Sequence, residues 1–361
     1  MAVTPSPHPE ESMEPAATDR RRRRPGWRAL LAGVLATGAA VAGASLASAG
    51  ENDRAADVAP FAEHGALAVC GTALCGESGE PVQLRGMSTH GTQWYEQCVT
   101  EESLDVLAHD WGAGVIRVST YVQEDGYETD PAYFTDVASR IIDQATERGL
   151  YVIVDWHMLT PGDPNVNTEL AKQFFTEITA RHGDQGNLLY EIANEPNGVS
   201  WNGIKSYAEE VIPVVRAGDP DGVVLVGTRG WSSLGVSEGS DESEIVANPV
   251  NADNVMYTFH FYAASHQEGY LDTLDRASDQ LPIFVTEFGT EEYTGDGGHD
   301  FAYAQRYLDL MAEKNIGWTN WNFSDDFRSG AVFEPGTCDA GSWGDPGSLK
   351  ESGAWISARI G

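Results

Sequence analysis

Positive charge is scarce in this sequence. Lysine and arginine number 22 against 55 aspartates and glutamates, a net charge of −33 over 361 residues. Such a surface repels nucleic-acid phosphates and anionic membranes, so neither is expected as a partner. It suits a neutral substrate, a saline medium or high solubility. Cysteine is scarce too, at four residues. No second CxxC-type pair or histidine cluster accompanies them, which weakens the zinc-site alternative. No glycine-rich phosphate loop follows the first strand-like run, which argues against an open doubly wound sheet. There is no internal repeat, and no break in composition marks a second domain.

Long apolar runs are missing except at the N-terminus. There a basic block, Arg20 to Arg24, precedes the small-residue apolar segment Ala29–Ala49. Ala47-Ser48-Ala49 fits a signal-peptidase site, and the arginines resemble a twin-arginine signal. Residues 1–49 are therefore expected to be an export signal, with a retained membrane anchor as the alternative. Cleavage removes six arginines and four acids, so the secreted chain is more acidic still. In an exported protein the cysteines read as disulfides. Cys70 and Cys75 lie close enough to close a small loop, which leaves Cys98 with Cys338. That second pair makes geometric sense only if the chain closes on itself.

After a leader over residues 50–63 and a hairpin-like segment reaching Val82, strand-like runs recur. They fall at Gln83–Met87, Val115–Ser119, Tyr151–Asp155, Leu188–Ile192, Val223–Val226, Val255–Phe261, Ile283–Thr286 and Gly317–Trp321. Most are continuous apolar runs, as parallel strands buried on both faces are. Helical patterns lie between them, at 101–113, 131–149, 167–183 and 301–315, with Pro or Asn/Thr near the start of several and Gly at the end. The fifth connection, Trp231 to Asn254, carries the weakest helical pattern. Strand and helix in alternation, eight times, predict an α/β fold: a (β/α) eight-stranded TIM barrel over residues 64–361, with a short N-terminal hairpin.

In this architecture sites form at the C-terminal strand ends. Read in order, these ends carry His90, Arg117, His157, Asn194 with Glu195, Trp231, His260 with Tyr262, Glu287 and Trp321. Each has a plain structural reading as well: an ion pair for Arg117, a core histidine for His157, core packing for Trp321, a helix cap for Glu195. Stability alone does not require polar groups at the same end of every strand. Two carboxylates facing each other across an aromatic-lined cleft are the equipment of glycoside hydrolysis. One is kept protonated by its neighbour's charge, the other ionised by an arginine such as Arg117. Trp94, Trp231 and Trp321 offer faces for sugar rings, and Asn194 an amide for a hydroxyl.

The stretches GMSTHGTQWY, VIRVS, VIVDWHMLTPGDPN, LLYEIANEPNG, YAEEVIPVVR, YTFHFYAASH and IFVTEFGT, in this order over nearly the whole chain after residue 64, resemble the retaining cellulases of glycoside hydrolase family 5, in their bacterial endoglucanase branch. The resemblance implies Glu195 as acid/base and Glu287 as nucleophile. It implies that Asn194 contacts the sugar 2-hydroxyl and that Arg117 and Tyr262 orient Glu287. His157 and His260 would line the catalytic subsite, with Trp321 as its floor. His90 and Trp94 would serve the non-reducing side, and Trp231 the leaving-group side. The sequence departs from the family where a Lys and a Glu grip the neighbouring glucose in some members: here Asp326 and Arg328 stand in WNFSDDFRSGA.

The expected activity is a secreted, monomeric endo-1,4-β-glucanase acting on a β-glucan without metal or organic cofactor. Without a recognisable carbohydrate-binding module or Ser/Pro/Thr linker, soluble or amorphous chains are expected rather than crystalline cellulose. The alternatives are the same chemistry on mannan, xyloglucan or mixed-linkage glucan, a surface-anchored hydrolase, or a non-catalytic glycan-binding barrel.

Overall fold

The computed structural model describes residues 59–361. The expected export signal at 1–49 and most of the leader lie outside the described residues. A hairpin of β1 (Ala68–Cys70) and β2 (Ala73–Cys75) precedes eight parallel strands. These are β3 (Arg85–Thr89), β4 (Val115–Tyr121), β5 (Tyr151–His157), β6 (Leu188–Glu191), β7 (Val223–Val226), β8 (Val255–Tyr262), β9 (Ile283–Gly289) and β10 (Trp318–Phe323). β10 pairs with β3 and closes the barrel in chain order. The expected TIM barrel is the observed fold.

Alternation along the strands sets the layers, because successive side chains point to opposite faces. On β5, Val152, Val154 and Trp156 face outward into the shell between barrel and helices. Tyr151 and Ile153 face inward and join Val115, Leu189, Val223, Leu225, Met256 and Phe284 in a plug at the barrel floor. Two residues further along, the inward positions turn polar: Asp155 and His157 on β5, Arg117 and Ser119 on β4, Glu191 on β6. Register aligns them, with Ser119 opposite Asp155 and Asp155 opposite Glu191. The apolar plug excludes water from below, and the polar layer above it is the base of the site.

Several strands run past their apolar segments. β5 extends to His157, β9 to Gly289 and β10 to Phe323, so His157 and Glu287 lie within strands rather than after them and Trp321 lies inside β10 rather than at its end. The ladder follows backbone hydrogen bonds, which continue whatever the side chain's polarity. β3 starts two residues later than expected, leaving Gln83 outside it.

The helix over Pro131–Glu147 begins where Asp130 accepts from the Tyr133 N–H at 3.1 Å, with Pro at its first position. The helices Thr168–His182 and Phe301–Glu313 also match the pattern. Trp201–Gly218 is helical despite Pro213 in its interior, and Glu351–Ile360 closes the chain. The fifth connection holds only short helical pieces, at Arg229–Ser232, Val236–Glu238 and Ser243–Ala247. The expected leader ends in a helix, Pro60–His64, whose Phe61 ring meets Tyr151 edge-on at 5.7 Å beneath the barrel. Both disulfides, Cys70–Cys75 and Cys98–Cys338, are formed. Among the described residues no helix is long and apolar enough to cross a membrane.

Candidate active site

Arg117 is the hub. Its guanidinium is fully buried and reaches Glu191 Oε2 at 2.6 Å, Asp155 Oδ2 at 3.0 Å, Glu287 Oε2 at 3.1 Å and Asn194 Oδ1 at 2.6 Å. The fork geometry of arginine makes four such acceptors possible on one cation, which lysine could not serve. Three carboxylates around one guanidinium compete for its charge. Burial and the neighbouring acids push Asp155 well above the carboxylate range. Glu191 is also buried, yet the Arg117 charge and the nearby His260 imidazole hold it at about 2.

Glu287 accepts from the Tyr262 hydroxyl at 2.6 Å through its other oxygen. Burial acts to raise its pKa, but the charges of His260 and Arg117 and the Tyr262 hydrogen bond outweigh that and hold it below the ordinary value. Glu195 is raised instead, first by burial and further by the negative charge of Glu287. Two carboxylates in one cleft are thus pushed apart, one toward the ionised form and one toward the acid. Ligand oxygens of Glu195 and Glu287, with a ring nitrogen of His260, all lie within 4.8 Å of one another. A metal ion bound by these three would compete with Arg117 and Tyr262 for Glu287.

A chain of hydrogen bonds links Glu195 to Glu191 behind the cleft. Glu195 Oε1 lies 2.9 Å from His260 Nδ1, His260 Nε2 lies 2.8 Å from Thr286 Oγ1, and Thr286 donates to Glu191 Oε1 at 2.6 Å. Since Thr286 gives its only proton to Glu191, it must accept from His260 Nε2–H. His260 then faces Glu195 with its second nitrogen. Burial opposes the imidazolium, but the nearby carboxylates of Glu191, 3.8 Å away, and Glu195, 2.9 Å away, raise it to about 9. His157 is the opposite case. Its Nδ1–H donates to Asp155 Oδ2 at 2.6 Å, and burial followed by the Arg117 charge lowers it to about 3. Neutral His157 therefore presents Nε2 as an acceptor toward the Asn194 amide, 3.3 Å away.

Aromatic rings line one side. Tyr121 stacks on His157 at 4.1 Å and meets Trp94 at 5.0 Å, and His157 lies parallel to Trp321 at 5.4 Å. His90 contacts Trp94 at 5.5 Å and Trp321 at 5.1 Å. Its Nδ1 accepts from Gly91 N–H at 2.7 Å, so Nε2–H faces Asp326 Oδ2 at 3.7 Å. Asp326 in turn holds Arg328 at 2.9 Å. Trp231 belongs to the segment after β7. Its backbone N–H donates to Pro196 O at 3.0 Å, which sets it beside the Asn194–Glu195–Pro196 turn. It is held at φ 57°, a left-handed conformation that a bulky residue adopts only under constraint.

The structure thus joins His90, Trp94, Arg117, His157, Asn194, Glu195, His260, Tyr262, Glu287 and Trp321 in one contiguous set, with Trp231 at its edge. Asp155, Glu191, Tyr121 and Thr286 belong to the same set and were not singled out from the sequence. Asp155 and Glu191 carried a signal: an acid inside an otherwise apolar strand run is too expensive to bury without a partner. Tyr121 and Thr286 carried none beyond their place near strand ends.

Residues 75–327 match the family model described as cellulase (glycosyl hydrolase family 5). The chain is 65% identical to endoglucanase E-5 of Thermobifida fusca over 301 residues, covering 83% of this chain and 65% of that protein. It is 59% identical to endoglucanase MaCel5A of Microbulbifer sp. (strain ALW1), with 83% and 59% covered. The chain therefore spans about three fifths of the length of these curated relatives. Among solved structures, the catalytic domain of Thermobifida fusca endoglucanase Cel5A (E5) matches with a TM-score of 0.83 at 65% identity, covering 84% of this chain and 99% of that domain. A variant of the same domain has been solved in complex with cellotetraose, with the same TM-score and coverage. The chain belongs to the cellulase family, glycosyl hydrolase family 5.

Proposed function

We propose that the protein is a secreted, monomeric endo-1,4-β-glucanase that cuts internal bonds of cellulose and soluble β-glucans with retention of anomeric configuration. The observation that carries this reading is the pair Glu195 and Glu287, with oxygens within 4.8 Å and pKa values pushed in opposite directions. Retaining glycosidases hold their carboxylates about 5–5.5 Å apart, while inverting enzymes leave about 6.5–9.5 Å for a water. The relatives named endoglucanase and the cellotetraose complex of one of them support a β-1,4-glucan as substrate.

In the first step Glu287 attacks the anomeric carbon and Glu195 gives its proton to the departing glycosidic oxygen. The bond to the leaving sugar breaks as the ester to Glu287 forms. Arg117 and Tyr262 hold the nucleophile ionised and aimed, and Asn194 receives the 2-hydroxyl. In the second step Glu195, now a carboxylate, takes a proton from water. That water attacks the anomeric carbon and releases Glu287. The aromatic wall of Tyr121, Trp94 and Trp321 supports the sugar rings. No metal or organic cofactor takes part in these steps. Asp326 and Arg328 stand where, in some members, a Lys and a Glu grip the next glucose, so contacts there differ from those members.

Reducing-sugar release from carboxymethylcellulose, mixed-linkage glucan, mannan and xylan, with the secreted form and Glu287→Gln, tests the reading. Carboxymethylcellulose is expected to be cut and the variant to be inactive. Preference for mannan would move the substrate and keep the mechanism. A wild type that retains glycan and cuts nothing would replace the enzyme by a binding protein.

A further inference from the structure

Four residues after the nucleophile, the chain buries a second glutamate that the reaction above does not use. Glu291 is 1% exposed. Its Oε1 has no hydrogen-bond partner, and its Oε2 has only Thr290 Oγ1 at 3.5 Å and His299 Nδ1 at 4.0 Å. The carboxyl fills a space made by two glycines. A Cβ on Gly289 would collide with both the Tyr262 ring and Glu291 Oε1, and a Cβ on Gly330 would collide with Oε1. Glu291 therefore packs on the same spot as the ring whose hydroxyl holds Glu287.

Its backbone is tied to the Tyr262 segment as well. Ala263 N–H donates to Gly289 O at 2.9 Å, Ala264 N–H donates to Glu291 O at 3.2 Å, and Tyr293 N–H donates to Ser265 Oγ at 3.1 Å. The groups facing it are few in kind. β8 brings Tyr262, β9 brings Glu287, the loop after β9 brings Thr290 and His299, and the loop after β10 brings the backbone of Gly330. None of these offers a charged donor at bonding distance: His299 is neutral, lowered mainly by burial. Buried without a cation, the Glu291 carboxyl is pushed up to about 8, first by burial and then by the Glu287 charge, against its own and Thr290's hydrogen bonds.

We propose that Glu291 is a positioning residue for the nucleophile: as an uncharged acid it fills the dry space behind Tyr262 and keeps that ring on Glu287, and once its proton is lost to solvent it withdraws that support. An anion there has no cation beside it and only the hydrogen bonds of its own backbone and Thr290. It must draw in water or swing out, and either movement loosens the ring and the loop pairing that hold Glu287. This rests on the reading of Glu287 as nucleophile.

Glu291→Gln keeps the shape and cannot ionise. The rate against pH separates Glu291 from Glu195, because loss of each proton adds its own slope. In wild type the logarithm of kcat on carboxymethylcellulose is expected to fall with a slope of about −1 as Glu195 deprotonates and about −2 above roughly pH 8. The variant, with activity near pH 6 within about twofold of wild type, keeps the slope of about −1 throughout, leaving it roughly tenfold ahead one pH unit above the break. A variant limb that superimposes on the wild-type limb, or a loss equal at every pH, overturns the proposal. Thermal unfolding against pH gives a readout free of activity: wild type loses stability up to about pH 8, and the variant must lose less. If the two melting profiles coincide, Glu291 does not titrate as proposed. Wild-type activity and its absence in Glu287→Gln are measured first, so failure of the glucanase reading shows itself there and not in the Glu291 arm.

Discussion

At the scale of single residues, the site works by giving chemically similar groups different surroundings. Glu287 is buried and Glu195 half-buried, and only Glu287 meets Arg117. Replacing Glu195 by Gln is expected to lower turnover of unactivated β-glucans by ~10²–10⁴. With a dinitrophenyl leaving group, which needs no proton, the same variant should release a burst of phenol and then stall. Equal losses on both substrates would remove Glu195 from its acid role. The pH profile follows from the same pair. Glu287 lies below its ordinary value and Glu195 above it, so kcat/KM should be bell-shaped, with limbs on either side of the ordinary glutamate range. The sign for stability at Glu291 is opposite to that of a salt-bridged acid. Its folded pKa is raised, so the folded state binds the extra proton between the unfolded value and about 8. Stability is full below the unfolded pKa and is lost as pH rises through about 8. Thr286→Val would leave His260 Nε2 and Glu191 Oε1 unpaired in a dry site. It should cost about 1–3 kcal/mol in denaturant unfolding.

At the scale of elements, strand interiors were legible and strand ends were not. Val223–Val226 was read to the residue, because a run of apolar β-branched side chains has no other economical place. The apolar run of β5 ends at Asp155, while the ladder goes on through Trp156 and His157. That is also why Asp155 and Glu191 escaped notice as members of the site: they are inward positions in strands read only for their apolar neighbours. The helix over Trp201–Gly218 was obscured by Pro213, which a long helix with a buried face tolerates. The loop after β10 is held by the Cys98–Cys338 bond. Asp325 accepts from the Cys338 N–H at 3.1 Å, and its neighbour Asp326 faces His90. Replacing both cysteines by serine should lower stability by roughly 2–4 kcal/mol. It should also raise KM more than it lowers kcat, since Glu195 and Glu287 sit on other elements. An unchanged KM would separate the disulfide from the sugar-binding wall.

At the scale of the whole molecule, the charge balance acts on stability rather than on the reaction. With 55 acids against 22 basic residues, like charges repel across the surface. Added salt shortens the reach of that repulsion to about 10 Å at 0.1 M and about 3 Å at 1 M. The melting temperature should therefore rise from low salt to about 0.5 M NaCl. A fall would mean that the surface ion pairs, such as Arg306 with Glu268, outweigh the net repulsion.

The sequence by itself determined the barrel, its hairpin and the strand ends from which Glu195 and Glu287 project, because those depend on periodic burial and on short local motifs. Tertiary structure alone decided how the carboxylates differ. Which acid meets Arg117, which carboxyl backs Tyr262 and which imidazole is charged depend on register between strands far apart in the chain. Desolvation and Coulomb interaction act through space, and distance along the chain does not report them.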